Sequence, residues 1–406
     1  MIVFDGEVVV SNDDGDGFKF SSESNLWEKK TKAQLARYVP DILGDYVRRI
    51  QNKCKTEAEA QIKDGNEPLA KYWGKLTKDL NLWLTRSIRG ASGMKNIWTV
   101  LKSRIWDNEF ESRLNVNHDL FPTMDGNVVD LRTGESRKRK KEDMFSFACP
   151  VRYVAQPNLE NVMRFVNSIF CDNQELIDYM WTRMGMFLTG RSVREFDIWY
   201  GNGKNGKSSL CRILGDIMKT GNFYNSLANG IFISNPKLSQ SQKSGHTSHL
   251  VPLIGVRLGI CQEIDKDSTL NGALIKSLSA GDPFKCRGAF EKLETEHIPF
   301  CKLVLCVNPK PKFDADDQAI VDRARYIPFN ARFVDEPDAD KPNEKLADKL
   351  FAEETMTSQE EKDNFFSWLV GGAVELYANN MKLKTPQLVI EAKQKSVADN
   401  DVVSEF

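Results

Sequence analysis

From Lys32 to roughly Asn108, apolar residues recur at the spacing of a single helix face. Leu35, Tyr38, Val39, Ile42, Leu43, Tyr46, Val47 and Ile50 set the pattern, and charged residues fill the other faces. This predicts a helical bundle. Ahead of it, Ile2 to Val10 alternates as a short strand, the run Asn12-Asp13-Asp14-Gly15-Asp16-Gly17 reads as a turn, and Phe18 to Phe20 follows. The period changes again at Met124 to Glu135, where Val128 to Leu131 between turn residues predicts a β-ribbon. Helical spacing returns from Leu159 to about Leu188. Three short apolar runs then read as buried strands: Phe196–Tyr200, Val256–Cys261 and Cys301–Val307. Ser209–Met218 between the first two is amphipathic, and Asp363–Asn379 and Glu391–Phe406 close the chain as helices. Buried strands alternating with helices predict an α/β fold whose central parallel sheet is covered on both faces. The expected division is a mostly helical N-terminal domain with its ribbon (1–155), the sheet domain (156–335) and a C-terminal helical segment (336–406).

The first buried strand runs directly into Gly201-Asn202-Gly203-Lys204-Asn205-Gly206-Lys207-Ser208, which fits G-x-x-x-x-G-K-[ST]. Glycines at these places let backbone N–H groups turn inward around phosphates, and the start of the following helix adds partial positive charge. Gly201, Gly203, Asn205, Gly206, Lys207, Ser208 and Ser209 are therefore the expected nucleotide-binding residues. Lys207 is expected to reach the β- and γ-phosphates and Ser208 to ligate Mg²⁺. A chance Gly/Lys-rich loop is the plain alternative, and the strand before and helix after argue against it. The reading is that the chain binds a nucleoside triphosphate.

Acids and amides at neighbouring strand ends narrow the chemistry. Glu263, just past the second buried strand, is the candidate general base and a water-mediated Mg²⁺ holder, with Asp265 a weaker choice. Asn308 ends the third strand, where an amide offers both donor and acceptor to a γ-phosphate or an attacking water. Arg323 and Arg325 precede an apolar segment and are candidates for charge stabilisation across a subunit boundary. A helix ending at Gly281 is followed by alternation carrying Lys285 and Arg287. With Lys276 on that helix and Phe290 nearby, this hairpin could track phosphates and stack a base.

Composition changes the picture little. Fifty-six Lys and Arg against 57 Asp and Glu give a net charge of -1, so any nucleic-acid contact must come from local clusters such as Arg137-Lys138-Arg139-Lys140-Lys141. Most such runs are solvated loops. The eight cysteines lack zinc spacing, with no partner evident beside Cys301 or Cys306, and read as small buried hydrophobes in a reducing compartment. His246 and His249 lack companion ligands. No stretch reads as a bilayer span, and Met1 is not followed by a signal-peptide pattern.

The order of these motifs resembles helicase superfamily three within the AAA+ ATPases, closest to the poxvirus-type and the phage and plasmid primase-helicases. The resemblance covers roughly residues 20 to 406. It rests on Asn205-Gly206-Lys207-Ser208, on Gly255-Val256-Arg257-Leu258 followed by Glu263, and on Ala273 to Lys276 through Gly281-Asp282-Pro283 to Arg287. It rests further on Asn308, on Arg323-Ala324-Arg325 with Ile327-Pro328-Phe329, and on Asp130-Leu131-Arg132-Thr133-Gly134-Glu135. Asp322 stands where relatives often carry arginine, and Gln262 where some carry a second acid. The resemblance implies an ATP- and Mg²⁺-dependent replicative DNA helicase, a homo-hexameric ring moving 3′ to 5′ on single-stranded DNA and at forks. It also implies the cytoplasm of the host cell of a phage, virus or mobile element, and a possible primase or primase-polymerase module in a longer protein. Lys207, Ser208, Glu263 and Asn308 would belong to one subunit, with Arg323, favoured over Arg325, donated by the next. Two other readings of the same loop are an AAA+ nucleic-acid-binding or packaging ATPase that does not unwind, and a small-molecule P-loop kinase.

Overall fold

The computed structural model describes residues 6–88, 91–233, 247–262, 269–287, 294–308 and 318–404. They fall into two compact units, one formed by residues 1–116 with 140–147 and the other by 117–139 with 148–406.

In the first unit, β1 (Val8–Val10), β2 (Gly17–Ser21) and β3 (Leu26–Lys30) form an antiparallel sheet in that order. The predicted turn closes β1 onto β2: Asn12 Oδ1 accepts the amides of Gly15 and Asp16, at 3.0 and 2.9 Å. The predicted first strand is described here from Gly6 on, and pairs only over Val8–Val10; residues 2–5 lie outside the described residues. Three helices follow, α1 (Lys32–Lys63), α2 (Glu67–Trp83) and α3 (Ala91–Arg104). A capping box between Thr31 and Gln34 starts α1, and Asn66 caps α2. Val8, Val10, Leu35 and Trp98 form one core, and Phe18, Trp27, Phe110 and Leu114 another.

The second unit begins with the ribbon, β4 (Leu120–Pro122), β5 (Asn127–Asp130) and β6 (Ser136–Lys138), antiparallel throughout. The basic run is largely solvated, as its composition predicts, but it is not simply a loop. Arg137 and Lys138 lie in β6, while Arg139 is buried and donates to the carbonyls of Thr123 and Asn127. The predicted long helix is two, α4 (Glu160–Ile169) and α5 (Gln174–Leu188), broken at Cys171 and Asp172, which adopt positive φ.

Then come β7 (Phe196–Tyr200), α6 (Lys207–Met218), β8 (Tyr224–Leu227), β9 (Leu258–Gln262), α7 (Gly272–Ala280), β10 (Phe284–Cys286), β11 (Thr295–His297), β12 (Lys302–Val307), α8 (Gln318–Arg323) and β13 (Ala324–Pro328). The expected parallel sheet is present with five strands, in the order β13-β7-β12-β9-β8. Its two edge strands were not predicted. β8 is short and polar in its middle, and β13 carries Arg325 and ends on Pro328, which an edge tolerates.

The short pair β14 (Arg332–Val334) and β15 (Glu344–Leu346) leads to α9 (Gln359–Ala378) and α10 (Gln387–Ser404). Helix α9 crosses α5 at touching backbones. A Cβ on Gly185 would sit 2.3 Å from Ala373 N, and one on Gly372 would sit 2.3 Å from Trp181 O. Ala392 of α10 joins the core that contains β13.

The start of the second buried strand holds a surprise. Arg257 is fully buried and donates to the carbonyls of Leu188 (2.5 Å), Asn117 (2.7 Å) and Leu120 (3.0 Å), with the Phe223 ring 3.7 Å away. Lys302, also buried, donates to Thr189 O. Burial and the neighbouring Arg257 push the Lys302 pKa well below its usual range.

Candidate nucleotide-binding site

Parallel strands that point one way put their C-terminal ends along a single edge, and the loop between β7 and α6 lies there. Its shape follows from residue size. Gly203 and Gly206 sit at φ +78° and +83°, and Lys204 joins them at +47°. A Cβ on Gly201 would lie 2.3 Å from Phe329 O, and one on Gly206 would lie 2.6 Å from Ile169 Cγ1. Side chains at 201 and 206 would therefore push the loop off its floor.

Three bonds pin the loop to the segment after β13. Phe329 N donates to Tyr200 O and Phe333 N to Lys204 O, both at 2.8 Å, and the buried Asn205 amide donates to Phe329 O at 3.4 Å. Asn205 Oδ1 also accepts from Lys207 N. Asn205 thus shapes the loop from inside. By contrast, the N–H groups of Gly206, Ser208 and Ser209 find no acceptor among the described residues, and the Ser208 side chain is exposed. Amides at a helix start with no protein acceptor suit an anion.

Lys207 is the buried cation of the site. Its Nζ donates to Gly201 O at 3.0 Å and to Asn308 Oδ1 at 3.3 Å, and it has no carboxylate partner among the described residues. Desolvation lowers its pKa, so a nearby phosphate would favour its charged form. The meeting of Lys207 with Asn308 comes from the sheet: Val307 pairs with Tyr200, so the residue after β12 stands beside the first loop residue. Strand β9 ends at the same edge, Gln262 pairing with Cys306. Glu263 and Asp265 lie outside the described residues. The floor is apolar and holds Cys211 and Cys306 with sulfurs 3.5 Å apart, a partner for Cys306 that spacing along the chain did not reveal.

The two arginines lie elsewhere. Strand β13 pairs with β7 in parallel, Ala324 opposite Phe196 and Pro328 opposite Tyr200. Arg323 therefore stands level with residue 195, about 20 Å of strand from Gly201. It is half-buried and makes no ion pair among the described residues. Arg325 is engaged: it donates to Glu195 Oε1 at 2.5 Å and to the carbonyls of Asp322 and Ala324 at 2.7 and 3.1 Å. Glu195 also accepts from the buried Arg183, which in turn holds Asp197. The sequence reading did not single out Glu195, Arg183 or Asp197, whose partners lie up to 130 positions away.

The predicted hairpin is present. Helix α7 ends at Gly281, φ +79°, and β10 pairs with β11, Lys285 opposite Glu296. Lys285 and Arg287 are exposed and Lys276, on α7, is half-buried; Phe290 lies outside the described residues. His246 is likewise outside them, and no group of three or more His, Cys, Asp or Glu placed to hold a metal ion occurs among the described residues. No helix among them is long and apolar enough to cross a membrane.

Residues 5–171 match the D5 N terminal like family. The chain is 24% identical over 354 residues to the protein named "Putative helicase 184R" of Invertebrate iridescent virus 6, covering 80% of this chain and 35% of that one. It is also 24% identical over 357 residues to "Putative helicase 121R" of Invertebrate iridescent virus 3, covering 83% and 36%. Over 173 residues it is 25% identical to "Putative primase C962R" of African swine fever virus, covering 43% and 17%. The chain thus spans about a third of the length of the two iridescent-virus relatives. Among solved structures, the apo C-terminal region of NrS-1 aligns with a TM-score of 0.44 at 13% identity, over 63% of this chain and 55% of that one.

Proposed function

Because the chain belongs to the phage and viral primase-helicase family, we propose that its second unit is a P-loop AAA+ motor of superfamily-three type that hydrolyses ATP to move along DNA. The observation that carries this reading is the buried Lys207 ammonium between Gly201 O and Asn308 Oδ1, beside loop amides with no acceptor among the described residues. ATP would enter with a Mg²⁺ ion, whose charge would offset that of the phosphates. Ser208 and Glu263 would hold that ion. Lys207 would turn its three donors from the carbonyl and the amide to the β- and γ-phosphates. Asn308, released from Lys207, would orient the γ-phosphate or the attacking water, with Glu263 taking the water's proton.

Arg323 is about 20 Å of strand from its own loop, well beyond side-chain reach. In this reading it serves the nucleotide held by a neighbouring copy. That requires a closed homo-oligomer, and a hexameric ring is the form proposed. Lys285 and Arg287 on the β10–β11 hairpin, with Lys276 behind them, would follow the phosphates of single-stranded DNA, 3′ to 5′, without reading bases. A primase module would sit elsewhere in a longer protein, working in a cell infected by a virus or phage.

The test is Lys207→Ala. ATP turnover and fork unwinding are both expected to vanish while the helical signal is unchanged. Turnover surviving in the variant sinks the assignment of the site. Wild-type protein that hydrolyses ATP with DNA but leaves forks paired would be a motor that does not unwind.

A further inference from the structure

Glu195, Arg325 and Arg183 lie at the opposite end of the sheet from the phosphate loop, and the reading above gives them no role. Their arrangement is specific. Arg325 donates to the carbonyls of Asp322 and Ala324, the residues on either side of Arg323. A cation capping the last carbonyls of a helix stabilises that end, and here the helix is α8, which ends on Arg323. The same guanidinium is held by Glu195, the residue directly before β7. Glu195 is kept in place by Arg183, which is fully buried and shared with Asp197. Lys393 of α10 also faces this cluster, along a 660 Å³ groove lined by Asp322, Arg325 and Val389.

We propose that Glu195 and Arg325 form a clamp that sets the backbone of the α8–β13 junction, so that Arg323 is presented to the neighbouring copy in one geometry. Glu195 and Arg325 are positioning residues; they touch no phosphate. The inference rests on Arg323 acting in trans and goes beyond it by naming what aims it. Glu195→Gln is the informative change. Arg183 keeps Asp197, so the buried pair survives, whereas Arg325 loses its carboxylate.

The experiment measures ATP turnover of pure and equimolar mixed rings. Lys207→Ala supplies sound fingers and dead loops, and Arg323→Ala the reverse. Glu195→Gln alone is expected to keep its KM for ATP and to lose turnover roughly tenfold or more, since an interaction felt only in the transition state lowers kcat. Mixing it with Lys207→Ala should restore turnover; mixing it with Arg323→Ala should not. Arg325→Gln, which leaves Glu195 on Arg183, should repeat this pattern.

The clamp is overturned if either variant turns over normally. It is equally overturned if rescue comes from Arg323→Ala, which would locate the defect in the loop, or if neither partner rescues either variant. Failure of Lys207→Ala and Arg323→Ala to complement each other would instead remove the in-trans reading beneath it.

Discussion

The two ends of the five-stranded sheet treat positive charge in opposite ways. At the C-terminal end Lys207 is buried with a carbonyl and an amide for company, and the loop amides beside it lack acceptors among the described residues. At the N-terminal end Arg183 is buried deeper still, yet two carboxylates meet it, and Arg325 shares one of them. Burying a cation costs several kcal/mol unless something answers its charge. One end answers with its own residues and is finished. The other, in the proposed reading, would take its answer from the phosphates of a nucleotide. Arg323 complicates the contrast: it sits at the finished end, without an ion pair among the described residues.

That exception offers the largest test. Arg323→Ala should cut ATP turnover by ~10³-fold or more, as expected for an arginine completing a neighbouring site. Its unfolding midpoint in urea should match the parent's. A large stability loss would make Arg323 one more structural cation and dissolve the distinction. Arg183→Met probes the finished end. It leaves Asp197 buried without its guanidinium and should cost about 3–5 kcal/mol, read from urea melts at an unchanged m-value. Adding Asp197→Leu should return part of that loss.

Lys302 gives the smallest effect and sharpens the contrast from a third place. Its folded pKa is depressed, so between that value and 10.5 the unfolded chain holds a proton that the folded one lacks. Stability from this group therefore rises with pH across that window and is lost as pH falls toward the folded pKa. Lys302→Met should remove a slope of up to ~1.4 kcal/mol per pH unit, measured by urea melts at successive pH values. An identical slope in the variant would show that Lys302 is not the group responsible.

How much of this could be read along the chain depends on the distance over which each signal acts. The candidate phosphate loop is local: eight consecutive residues, a strand before and a helix after, all legible from residue types. Strands β7 and β12 were legible because they are short, mostly apolar runs, each with a single charged residue, Asp197 and Lys302. Strand β13 was not, since Arg325 and Pro328 interrupt its pattern and only its place beside β7 explains both. Whether Arg323 or Arg325 is available to another molecule could not be read at all, because Glu195 is 130 positions upstream. The same holds for Arg257, whose carbonyl acceptors span Asn117 to Leu188.

The crossing of α5 and α9 bears on how the protein can be divided. With glycine at 185 and 372, two main chains lie in contact along a face where side chains would normally keep them apart, and Trp181 seals it by donating to Trp368 O at 2.6 Å. Helix α9 is thus an inner wall of the unit that carries the Gly201–Ser208 loop, although it arrives last but one in the chain. A piece trimmed at residue 335, where the strands end, would strip that wall away and leave a groove floored by bare peptide groups. The compact second unit extends to wherever α9 is retained.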